Sequence, residues 1–164
     1  MTTSLVRTRT ATLDDVPRVH ALFERCSAAT LQRRFHVPVP RVPDRLVRRL
    51  VVPPAGWSLV AEQGPELIGH GCAGPLDART VEIGLLVDDA FQGTGVGTRL
   101  VRDLAASAAR RGYEQMVCQV EPDDEAVTAT LARAGLSGTA YHVDGELEIH
   151  VPLDGAVGEL ERPA

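Results

Sequence analysis

The sequence predicts an α+β domain with one mixed, mostly antiparallel central sheet flanked by helices. Three features carry this reading. Strand-like segments follow one another three times between Trp57 and Val87, helical periodicity then alternates with strands, and Asp144-Gly145 marks a closing two-residue hairpin. The 164 residues and 17.6 kDa suit one domain. With 44% hydrophobic and 24% charged residues the composition is that of a globular protein, which excludes disordered, collagen-like and coiled-coil classes.

Leu5 to Thr10 alternates as a short strand, and Thr12 with Asp14 and Asp15 behind it reads as a helix start. Val16, Val19, His20, Leu22 and Phe23 then recur at helical spacing, which predicts one apolar face with His20 as a core histidine. Ser27 caps a second helix through Leu31 and Phe35, broken by Pro38, Pro40 and Pro43, and Asp44 to Leu50 adds one or two turns. Trp57–Ala61 and Leu67–Ala73 form a hairpin around a turn at Glu62–Glu66, followed by a strand over Thr80 to Val87. After Gly95 a helical face of Val96, Leu100, Val101, Leu104 and Ala108 ends at Arg110-Arg111-Gly112. Met116 to Val120 is an apolar strand, Asp123 is expected to cap a helix to about Ala134, and Tyr141–Val143 with Leu147–Val151 make the hairpin. Residues 1–153 therefore read as one domain and 154–164 as a flexible C-terminal tail.

Charge narrows the function classes. All 17 basic residues are arginine, so with 22 acidic residues the net charge is −5, which disfavours a generic nucleic-acid binder. Arg33, Arg34, Arg41, Arg45, Arg48 and Arg49 cluster with only Asp44 among them, and read as a solvated helix face. No apolar run approaches the roughly 20 residues of a bilayer span, and the first residues lack a secretory pattern, so a cytoplasmic protein without membrane partners is expected. Cys26, Cys72 and Cys118 have no metal-ligand or disulfide spacing; His70 and Cys72 share a strand face but lack a third ligand, and no metal is expected.

The most informative stretch is Asp88 to Arg99, a strand-to-helix junction with Gly93, Gly95 and Gly97 at alternate positions. Glycines there let backbone N–H groups turn toward an anion at the positive end of a helix, and a diphosphate is the natural guest. A Walker A loop would need Gly-Lys-Ser/Thr, and a dinucleotide fingerprint would need glycine where Thr98 stands.

Gln92-x-x-Gly95-x-Gly97 resembles the acyl-CoA pyrophosphate motif of the GCN5-related N-acetyltransferases (GNAT), and the resemblance extends over nearly the whole domain. It implies a GNAT-like fold with acetyl-CoA as co-substrate. The backbone of Gly93, Thr94, Gly95, Val96, Gly97 and Thr98 would hold the pyrophosphate, Leu85, Leu86 and Val87 the pantetheine arm, and Arg99 a phosphate.

Acyl transfer to an amine needs a base, because an alkyl ammonium has a pKa near 10. On the strand Thr80 to Val87, Val81, Ile83, Leu85 and Val87 should face the core, leaving Glu82 with Gly84 and Leu86 on the other side. The run from Val81 to Gln92 is similar to bacterial protein lysine acetyltransferases, in which a glutamate ten residues before the motif glutamine is the general base; Glu82 matches it. The same resemblance puts Asp124 where many members have a cofactor-contacting asparagine, and Leu131 where they have a proton-donating tyrosine. Tyr113 and Tyr141 read as packing residues.

The expected function is transfer of an acetyl group from acetyl-CoA to a primary amine, on a protein lysine or a small cationic molecule, by direct attack with Glu82 as base. The alternative is a catalytically silent acyl-CoA-binding sensor, favoured by the absent tyrosine. A donor with a longer acyl chain is also compatible with the residues, and the hairpin edge is a place where a homodimer could form.

Overall fold

The computed structural model describes residues 5–154; the predicted tail, beyond Asp154, lies outside them. Twelve regular elements follow the expected order: β1 (Val6–Thr10), α1 (Val16–Arg25), α2 (Ala28–Phe35), α3 (Asp44–Val51), β2 (Trp57–Gln63), β3 (Glu66–Pro75), β4 (Thr80–Val87), α4 (Val96–Arg110), β5 (Gln115–Val120), α5 (Glu125–Arg133), β6 (Thr139–Val143) and β7 (Glu146–Pro152). The strands form one sheet in the order β1-β2-β3-β4-β5-β7-β6. Every neighbouring pair is antiparallel except β4 and β5, whose connection through α4 makes them parallel.

Each face of the sheet carries its own core. Val81, Ile83 and Val87 of β4 pack with Leu100, Leu104 and Ala108 of α4 on one side. Leu86 joins Val19, Leu22 and Phe23 of α1 and Val47 of α3 on the other. The alternation read along β4 is therefore correct, and both of its faces meet helices, which is why the strand is buried at its C-terminal end.

Local chemistry departs from expectation at four points. The β2–β3 turn is only Gly64-Pro65, so both strands run further into the predicted loop. The cap of α5 is Asp124, whose Oδ1 accepts from the Ala126 amide at 3.0 Å, not Asp123. His20 is half-buried instead of in the core, because its Nε2 lies 2.9 Å from Asp44 at the start of α3. Thr12 opens a short 3₁₀ turn, and α1 begins only at Val16 behind it. The Asp144-Gly145 turn is as expected, with φ of 50° and 87°, and its outer strand β6 is exposed along its length. No described helix is long and apolar enough to cross a membrane.

An ion network around buried Asp15 ties β1 to β2 and to the start of α1. Asp15, only 4% exposed at its side chain, receives Arg9 Nη1 at 2.8 Å, and Arg9 Nη2 also reaches Glu62 at 2.8 Å. The Arg9 hydrogen bonds, with the Thr12 amide adding to them, hold the Asp15 carboxyl down to about 2. A depressed folded-state pKa contributes stability that is complete above the unfolded value near 4 and is lost as pH falls toward 2. Thermal melts should therefore show a steeper loss of Tm between pH 5 and pH 2.5 for the wild type than for Asp15→Asn, which itself costs on the order of 2 kcal/mol at pH 7. Parallel pH profiles would contradict the assignment.

Candidate functional site

Strands β4 and β5 are paired over only four rungs, Thr80 to Ile83 against Gln115 to Cys118. Beyond Ile83 they part, and Gly84 to Val87 keep β3 as their one strand neighbour. The edge of β4 that faces β5 thus presents backbone donors and acceptors without a strand partner. This opening is the floor of a cleft of about 640 Å³, bounded by α2 on one side, by α5 on the other, and by the glycine loop at its end.

The loop is held from behind. Asp88 is buried, caps a short 3₁₀ turn through the Ala90 amide, and receives Arg25 Nε at 3.0 Å from the end of α1. Asp89 accepts the Ser27 amide at 3.3 Å, which fastens the α1–α2 elbow to the same turn. The side-chain amide of Gln92 donates to the Val87 carbonyl at 3.1 Å and to the Thr30 hydroxyl at 3.0 Å. One of the free carbonyls at the end of β4 is thereby satisfied, and α2 is joined to the loop.

In front, the loop is bare. Gly93 and Gly95 adopt φ of 74° and 94°, a region that L side chains rarely enter, and a Cβ on either would point into open space. Helix α4 begins at Val96 behind Gly95, with no side-chain cap and no acidic residue in its first turn. Its first amides are therefore available to an anion, at the end where the helix dipole favours one. This arrangement fits a diphosphate.

Of the residues singled out in the sequence, Glu82, Leu85, Leu86, Val87, Gln92, Gly93, Gly95, Gly97, Thr98 and Asp124 all line the cleft. Three do not. Thr94 turns its hydroxyl back to the Phe91 carbonyl, Val96 is buried in the core, and Arg99 is exposed outside the cleft. Glu82 is half-buried and pairs in register with Gly74 and Val117. Its carboxylate acts on the Cys118 thiol, which burial first and Glu82 second push up to about 12, so that thiol is inert at neutral pH. Leu131 is buried but lines the cleft wall, whereas Tyr113 stacks on Trp57 and Tyr141 packs against His150; no tyrosine lines the cleft. His70 is fully buried against Phe23, and its pKa falls to about 3, by burial first and by Arg34 second, so it is a neutral core group.

Arg34 departs from the solvated face expected for the arginine cluster: its guanidinium folds into the cleft and lies against the Gly84 backbone. The available signal was the glycine itself, on the same strand face as Glu82.

A cleft that combines an open strand edge, a bare helix N-terminus and a half-buried carboxylate, Glu82, on the strand that opens has the layout of an acyl-transfer site built around a nucleotide thioester. The sequence profile of the acetyltransferase (GNAT) family matches residues 16–136, and the chain belongs to that family; it is an acyl-CoA-dependent acetyltransferase. The fold is similar to the GNAT domain of S. lividans PAT, at 26% identity over 90% of each chain with a TM-score of 0.82. It is also similar to yncA of Salmonella typhimurium, solved with its cofactor acetyl-CoA, at 20% identity over 90% of this chain and 92% of that one, TM-score 0.65. RimL, a ribosomal L7/L12 alpha-N-protein acetyltransferase solved with coenzyme A, is 20% identical over 93% of each chain, TM-score 0.69. No curated protein sequence matches the chain.

Asp124 serves as a helix cap as well as lining the cleft. Asp124→Ala should lower stability by about 1 kcal/mol in urea denaturation. Unchanged stability with weakened coenzyme A binding would assign the carboxylate to the ligand instead.

Proposed function

We propose that the protein transfers an acetyl group from acetyl-CoA to a primary amine, with Glu82 as general base. The observation that carries this reading is the parting of β4 from β5 directly after the strand segment that bears Glu82. Bound in the cleft, acetyl-CoA supplies an acetyl thioester. The amides of Gly93, Gly95, Gly97 and Thr98 are placed for its diphosphate, and the open edge of Gly84 to Val87 for its amide-bearing arm.

Glu82 makes no hydrogen bond or ion pair to another described residue, so its carboxylate is available to take the proton of an incoming ammonium, directly or through a water. Free backbone donors on β4 are placed to polarise an acyl oxygen near Gly84 and Leu85. No side-chain acid of the tyrosine type stands in the cleft, and the departing thiol takes its proton from solvent. The acceptor is a protein lysine or a small amine. The resemblance of the run from Val81 to Gln92 to bacterial protein lysine acetyltransferases, together with the likeness to the GNAT domain of S. lividans PAT, favours a lysine.

Glu82→Gln should lower kcat with acetyl-CoA and an amine panel by about a hundredfold or more, while calorimetry still shows coenzyme A binding. Gly95→Glu should abolish that binding, because its carboxylate would occupy the anion position. Full turnover by Glu82→Gln would remove the base assignment. Binding with no turnover on any amine in the wild type would instead support the silent sensor.

A further inference from the structure

Arg34 stands in the cleft without a partner for its charge. Its Nη2 reaches only the Cys72 thiol, at 3.1 Å, and its Nε is buried with no hydrogen-bond partner. No Asp or Glu among the described residues pairs with it, Glu82 included, although that carboxylate lines the same cleft. The guanidinium lies flat on the sheet: a Cβ on Gly84 would sit 2.7 Å from its Cζ and Nη1, and the Phe35 ring lies 5.1 Å from it. Glycine at position 84 is thus what admits the cation to this depth. Arg33 and His36, from the same helix and its end, line the same wall.

Glu82 and Gly84 share one face of β4, about 7 Å apart along the strand. An amine delivered to Glu82 therefore arrives beside a fixed guanidinium, which repels a second positive charge and favours a negative one. The planar fork of arginine suits a carboxylate.

We propose that Arg34, seated on Gly84, is a carboxylate-binding subsite for the acceptor, so that the preferred acceptors carry an acidic group close to the amine and polycations are disfavoured. This rests on reading the cleft as the acyl-transfer site with Glu82 as its base. The same carboxylate is available from a free amino acid or from an acidic side chain next to a lysine in a protein, and the assay separates the two.

The test compares matched pairs: free amino acids against their C-terminal amides, and lysine peptides with Asp beside the lysine against Asn. kcat/KM is measured with acetyl-CoA, and acceptor binding to the coenzyme A-loaded protein by calorimetry. The wild type should prefer the acidic member of at least one pair by about tenfold to a hundredfold in both readouts. The pair that shows the preference names the source. Arg34→Met should erase the ratio, and Arg34→Lys should keep part of it. Gly84→Ala, which keeps the arginine but displaces its flexible end, should reduce the ratio too, and stands in if Arg34→Met does not fold. Equal rates within both pairs, or a ratio that survives Arg34→Met, would overturn the proposal. Failure of coenzyme A binding, or full activity in Glu82→Gln, would instead overturn the underlying reading of the cleft.

Discussion

The incomplete pairing of β4 with β5 governs the rest of this structure. Four parallel rungs hold the two strands together up to Ile83 and Cys118, after which no ladder joins them. A sheet normally satisfies every buried backbone group, and unpaired ones cost free energy unless something else meets them. Here the free edge borders a cleft, and one of its carbonyls, that of Val87, is met by the Gln92 side chain. The remaining donors and acceptors face the space where an extended, amide-bearing ligand can add itself as a strand.

The same opening explains why the glycine loop is braced as it is. A loop that leaves the first amides of α4 free must draw its rigidity from elsewhere, and it does so through Asp88 with Arg25, Asp89 with the Ser27 amide, and Gln92 with Thr30. All three reach the α1–α2 region, whose second helix forms one wall of the cleft. The glycine loop and the helical wall of the cleft are therefore parts of one hydrogen-bonded unit.

Charge in the cleft follows a similar division. The anion-favouring end of α4 and the carboxylate of Glu82 belong to different elements, and Arg34 enters from a third. Their juxtaposition owes nothing to sequence proximity: Arg34 and Gly84 are brought together by the packing of α2 on β4.

What the sequence determined by itself is local. Periods of 2 and 3.6, caps such as Ser27, and turn pairs such as Asp144-Gly145 specify the elements and their order, because they act over a few residues. The Gln92–Gly97 pattern and the face shared by Glu82 and Gly84 were legible for the same reason. Local chemistry pointed to Asp123 as the cap of α5, and the chain's geometry gave that place to Asp124. Three features were decided only by tertiary structure: the parting of β4 and β5, the placement of Arg34 among six clustered arginines, and the packing of α2 and α5 on either side of the cleft. Each depends on how far apart two distant segments lie, and no pattern within either segment encodes that distance.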